Sequence, residues 1–134
     1  MNSTLLYKIS SGLFIFFGVT HTFGLFRPRT ETSMIAVIES MQNVRFDIMG
    51  FNRSIWEFYI GFGLLLTVFL IFSAILSWQL GNLVKENDKI ARLIGLPFAI
   101  SHVIVAILCW TNFFYPPAIT ATAISICLVF ALRK

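Results

Sequence analysis

Only 12% of this 134-residue chain is Asp, Glu, Lys or Arg, so the residues that could do chemistry stand out. His21, Glu57 and His102 could carry protons, and each lies inside an apolar stretch. Arg53 and Glu57 are spaced to share one face of a helix. Asn52 and Trp56 fall in the same layer, with Arg45 and Asp47 just before it, and Thr22, Asn112 and Tyr115 reach it from other apolar stretches. A His beside a Glu could act as proton donor and acceptor. Arg, Asp and Asn beside an apolar body could equally hold the polar head of a ligand. Catalytic candidates are therefore His21, Glu57 and His102. Ligand-binding candidates are His21, Asp47, Asn52, Arg53, Trp56, Glu57, His102 and Asn112.

Each candidate also has a purely structural reading. Arg53 and Glu57 could form an ion pair near a membrane interface. His21 could bond a neighbouring helix, and His102 a backbone carbonyl or Thr120. No nucleophile with a base and an orienting group is visible. Cys109 and Cys127 lie in apolar stretches without CxxC spacing and read as small core residues, so no metal site is expected. Haem between the two histidines is disfavoured, because their depths differ by about 8–10 Å. No cofactor is evident.

The elements that must position these groups are membrane helices. The chain is 57% hydrophobic, and its mean hydropathy is +0.84. A soluble domain carries about a quarter of its residues charged, so lipid is the expected solvent for much of this chain. The net charge of +4 includes no basic run interleaved with aromatics, which argues against nucleic acid as a partner. Spans of about 20 apolar residues fall near 5–26, 54–80, 90–114 and 117–132. Together they predict an all-α fold: a transmembrane four-helix bundle forming a single domain over 1–134. The first span lacks the small-x-small site of a signal peptide and reads as a retained helix. Pro116-Pro117 separates the last two spans. Gly81 to Lys89 reads as a polar turn.

The link 27–53 is long and mixed. Within it, Thr30–Val44 predicts a short amphipathic helix with Met34, Ile38 and Met41 on one face and Thr30 or Thr32 as N-cap. Residues at helical spacing, many of them small or polar, mark the packing seams. They are Ser11, Phe14, Gly18, His21 and Leu25 in the first span, and Gly95, Ala99, His102, Ala106 and Cys109 in the third. In the fourth they are Thr120, Ala123, Cys127 and Ala131. Lys8, Lys85, Lys89, Arg92, Arg133 and Lys134 outnumber Arg27, Arg29, Arg45 and Arg53, so both termini are expected in the cytoplasm. His21 and Glu57 then lie about 8 Å below the long-link surface, with His102 nearer the midplane. The polar groups gather at one end, which predicts a pocket open toward the link.

The segment Asp47-Ile-Met-Gly-Phe-Asn-Arg-Ser-Ile-Trp-Glu-Phe-Tyr-Ile-Gly-Phe-Gly, with Gly18-Val-Thr-His-Thr upstream, resembles an uncharacterised family of small bacterial four-helix membrane proteins. Their general layout is DoxX-like. The resemblance implies a bacterial inner-membrane location and transfers no catalytic residue. The expected function is binding of a lipid-like or quinone-like molecule in a polar pocket at the long-link end. The alternatives are a membrane enzyme using His/Glu acid–base chemistry on an apolar substrate, and a structural or accessory subunit. Membrane lipid is the expected partner, and a homo-oligomer is open.

Overall fold

The computed structural model describes residues 2–133. It is helical apart from one small hairpin. The order is α1 (Ser3–Phe26), α2 (Thr32–Asn43), β1 (Arg45–Ile48), β2 (Phe51–Ser54), α3 (Ile55–Glu86), α4 (Asp88–Asn112) and α5 (Tyr115–Ala131). α1, α3 and α4 are each long and apolar enough to cross a membrane. α5 is apolar but shorter, at 17 residues. Only 22–28% of the most apolar window of each long helix is buried within the protein. Phe23, Phe62, Leu65 and Leu93 are all largely exposed. Apolar surface on this scale calls for an apolar solvent or partner and is compatible with a membrane protein.

Element boundaries follow local chemistry. α1 stops before Pro28, which disfavours a helical Arg27, and Arg29 Nη2 donates to Gly24 O at 3.2 Å near the end of that helix. α3 does not end at Leu80 as expected but runs to Glu86. The predicted polar turn 81–89 shrinks to Asn87, whose side chain accepts from Ile90 N at 3.1 Å and caps α4. Gly81 is a close-packing residue here and not a helix end. A Cβ there would lie 3.2 Å from Thr4 O and 3.3 Å from Tyr7 Cβ. The prolines after Tyr115 sit in the first turn of α5, where a missing N–H costs nothing.

The link also departs from expectation. α2 forms, but Glu31 occupies its N-cap without a side-chain bond. Neither Thr30 nor Thr32 caps it, since Thr32 is already its first helical residue. Of the expected apolar face, Ile38 and Met41 are half-buried and Met34 is exposed. The rest of the link is not coil. Arg45–Ile48 pairs antiparallel with Phe51–Ser54 around a two-residue turn, Met49-Gly50. Both turn residues have positive φ, 51° and 86°, as a type I′ hairpin requires.

The chain divides into two compact units, Met1–Gly18 with Leu70–Lys134, and Val19–Phe69. In the first, α1 and α3 are tied by hydroxyl-to-carbonyl bonds: Ser11 Oγ to Ala74 O and Ser77 Oγ to Tyr7 O, both 2.8 Å. The expected α4 seam, Gly95, Ala99, His102, Ala106 and Cys109, is buried. Ala106 and Cys109 pack on Ala118 and Ala121 of α5. Of the expected face, Thr120, Ala123, Cys127 and Ala131, α5 buries only Ala131. Its buried residues are Ala118, Ala121, Ile124, Ser125, Leu128 and Ala131. Thr120, Ala123 and Cys127 are half-exposed.

In the second unit, His21 donates from Nε2 to Gly63 O at 3.0 Å, and Thr22 bonds Thr67 through their hydroxyls at 2.9 Å. Leu25 covers Gly63 closely enough that an added Cβ would meet its methyl groups.

Candidate functional site

The site is built on the junction of β2 and α3. Ser54-Ile-Trp-Glu57 is a capping box. Ser54 N donates to Glu57 Oε2 at 2.6 Å, and Glu57 N donates to Ser54 Oγ at 3.1 Å. Two backbone N–H groups that the helix start would leave bare are satisfied this way. The same carboxylate takes two guanidinium groups, Arg45 Nη2 at 3.5 Å and Arg53 Nη1 at 3.6 Å. All three side chains are 41–50% exposed, so these ion pairs add little stability. Their effect is to fix charge positions at the helix mouth.

Strand alternation then sorts the hairpin into two faces. Arg45, Asp47, Asn52 and Ser54 share one. There Arg45 Nη2 donates to Asn52 O at 3.2 Å, Arg45 Nε donates to Asn52 Oδ1, and Asn52 Nδ2 donates to Asp47 Oδ1 at 3.1 Å. Phe46, Ile48, Phe51 and Arg53 share the other face. Phe46 packs on Phe58 at 5.4 Å between ring centroids, and Phe58 on Phe62 at 6.2 Å. Arg53 lies over the Phe51 ring at 5.9 Å.

An open groove of about 300 Å³ runs down α3 from this apolar face, lined by Arg53, Glu57, Phe58, Gly61, Phe62 and Leu65. Gly61 leaves it room, since a Cβ there would meet nothing within 4 Å. The groove has a charged rim and an apolar floor. It can take a molecule with a polar head and an apolar body.

Not every candidate joins this site. Arg53 and Glu57 line the groove. Asp47 and Asn52 belong to the opposite hairpin face and brace Arg45. Trp56 stacks on Tyr59 at 5.4 Å, away from the groove residues by helical spacing. His21 is occupied with the Gly63 carbonyl. In the other unit, His102 donates from Nδ1 to Phe98 O of its own helix at 2.9 Å, the backbone-carbonyl bond that is one of its expected structural roles. It sits edge-on to Phe14 and Phe98. Asn112 donates to Leu108 O and Thr111 Oγ1 at the end of α4. No group of His, Cys, Asp and Glu that could hold a metal occurs among the described residues.

Sequence reasoning missed the groove floor, Phe58, Gly61, Phe62 and Leu65. Their spacing of three, four and seven was the available signal. It also missed the capping box, although Ser-x-x-Glu was in plain view. The chain matches no family model, no characterised protein and no solved structure.

Proposed function

We propose that the chain is a membrane protein, a four-helix bundle with α2 as its amphipathic surface helix, that holds a small lipid-like or quinone-like molecule in the α3 groove. The observation that carries this reading is the groove's composition. Arg53 and Glu57 stand at one end, and Phe58, Gly61, Phe62 and Leu65 continue below them. In this reading α5 is the fourth span. Its 17 residues reach about 26 Å against a hydrocarbon core of about 30 Å, a mismatch that a bilayer absorbs by local thinning. The Lys/Arg distribution supports cytoplasmic termini. The resemblance to small bacterial four-helix membrane proteins supports an inner-membrane location.

The test is Gly61→Trp. The indole would project into the groove from a position where an added Cβ meets nothing within 4 Å. Gly12→Trp, at an equally open position in the other unit, is the control. Native mass spectrometry of gently purified protein should show a retained amphiphile in wild type and in Gly12→Trp. In Gly61→Trp the bound fraction should drop at least tenfold. Equal occupancy in all three would refute the groove as the binding site. A wild type that retains nothing, and takes up no added amphiphile, would leave the structural-subunit reading in its place.

A further inference from the structure

Resting on the groove as a binding site, we infer that its occupant is a membrane lipid with an anionic head, phosphate or carboxylate, held by Arg53, with one acyl chain along α3. The charge arrangement at the rim is the first reason. The Glu57 carboxylate is already committed: one oxygen accepts from Ser54 N, and two arginines lie within 3.6 Å of the group. Of these groups only Arg53 and Glu57 line the groove, and Glu57 is shared with Arg45 outside that lining, so the carboxylate neutralises Arg53 only in part. Asp47 belongs with Arg45 on the opposite hairpin face, where Asn52 bonds both, and so balances Arg45 and not Arg53.

Arg53 is also the guanidinium placed to reach a ligand. It lines the groove, whereas Arg45 is fastened to Asn52. Its contact with Glu57, at 3.6 Å, is a charge contact longer than a hydrogen bond. The planar fork therefore retains donors for a phosphate or carboxylate, the groups it matches in bidentate fashion. The Phe51 ring lies beneath it, with 5.9 Å between the guanidinium carbon and the ring centroid.

Dimensions indicate the chain. From Glu57 to Leu65 the helix advances about 12 Å, close to the apolar depth of one leaflet, which is about 15 Å. A volume of about 300 Å³ is at the small end for ligand sites, which suits one acyl chain and not two. Phe62 is 66% exposed and Leu65 65%, so the floor is open along its side. A lipid would enter laterally from its leaflet, and a second chain, if present, would stay in the bilayer.

The experiment is a native mass spectrometry titration in nonionic detergent. Phosphatidylglycerol and phosphatidylcholine of matched chains would be added to wild type, Arg53→Gln, Arg53→Lys and Gly61→Trp. Wild type should prefer the anionic lipid by roughly tenfold, the scale of one charge-assisted contact. Arg53→Gln should bring the preference close to one while keeping chain-dependent binding. Arg53→Lys, with charge but no fork, should fall between. Gly61→Trp should lose both lipids. Equal binding of the two lipids by wild type, or an undiminished preference in Arg53→Gln, would overturn the head-group assignment. If Gly61→Trp still blocked binding in that case, the groove itself would stand. Binding indifferent to Gly61→Trp would instead remove the groove. Inorganic phosphate that binds Arg53 as well as the lipid does would reduce the site to an ion contact and overturn the lipid assignment.

Discussion

The two compact units use their polar atoms in opposite ways. In the unit formed by Met1–Gly18 and Leu70–Lys134, hydroxyls are buried and turned on backbone carbonyls. Ser10 bonds Leu6 O, Ser11 bonds Ala74 O, Ser77 bonds Tyr7 O and Ser125 bonds His102 O, all at 2.8–2.9 Å. Small residues let helices approach, and these four serine hydroxyls are satisfied within the packing. In the unit Val19–Phe69, the charged and amide groups of the hairpin stand in the open. α2 has no buried residue, and the aromatic track from Phe46 to Phe62 is partly bare. One unit buries serine hydroxyls between its helices and the other leaves its hairpin charges exposed, where the proposed function puts the binding groove. Substitutions should therefore cost stability in the first and, around the groove, binding in the second.

The largest stability effect is expected where packing is tightest. Gly95 of α4 faces Tyr7, and a Cβ there would collide with the Tyr7 hydroxyl. Gly95→Ala should destabilise the protein by about 1–3 kcal/mol, the usual cost of overpacking. That hydroxyl is buried and has no hydrogen-bond partner among the described residues. Tyr7→Phe should therefore be neutral or slightly stabilising, since it removes an unsatisfied polar group. With the hydroxyl gone, the nearest approaches would be 3.2 Å to Leu132 Cδ2 and 3.3 Å to Tyr7 Cζ. Tyr7→Phe should thus recover most of the loss in the Gly95→Ala background. Thermal unfolding of the two single variants and the double variant in detergent measures the coupling. Additive effects would mean that the contact is not what makes Gly95 necessary.

What the sequence disclosed follows from contrast. In α1 and α4 small residues recur at helical spacing among bulky ones, so their inward faces could be read, and Phe14, Ala99, His102 and Ala106 are indeed buried. α5 lacks that contrast. Ala118, Thr120, Ala121, Thr122, Ala123 and Ser125 surround the helix with small residues, and only the partner surface of Ala106 and Cys109 selects a face. The hairpin was hidden because its strands are four residues each and its turn is Met-Gly, not the Asn-Gly or Asp-Gly that announces a type I′ turn. The candidate site was legible in its charges, Arg53 and Glu57, but not in its floor. Phe58, Gly61, Phe62 and Leu65 look like any lipid-facing stripe until the hairpin places Phe46 and Arg53 above them.

A smaller effect is expected at the cap that joins the hairpin to α3. Ser54 is buried, and its Oγ accepts from Glu57 N. Ser54→Ala should cost about 1 kcal/mol, as loss of an N-cap does. Glu57→Gln keeps an oxygen that can accept from Ser54 N and removes the charge shared by Arg45 and Arg53. Its effect on unfolding should be smaller than that of Ser54→Ala, while its effect on head-group preference should be larger. Thermal unfolding and lipid titration of the same two variants separate the roles. If Glu57→Gln proved the more damaging to stability, the ion pairs would be structural and the contrast between the units would weaken.

The smallest effect should appear at the hairpin tip, and its sign is the informative part. Met49 has a φ of 51° and is 94% exposed, so it bears the left-handed conformation without any packing in return. An L-residue with a branched or long side chain is disfavoured there by about 1–2 kcal/mol, whereas Asn tolerates it and is common at this place in type I′ turns. Met49→Asn should therefore raise stability by up to about 1 kcal/mol, seen as a higher unfolding temperature in detergent. In bilayers the comparison sharpens. If the exposed methionine touches lipid, the gain seen in detergent should shrink or reverse in vesicles, because an apolar contact would be lost with it. An equal gain in both media would mean that Met49 serves only to close the turn, and that contact with lipid in this unit begins at the groove.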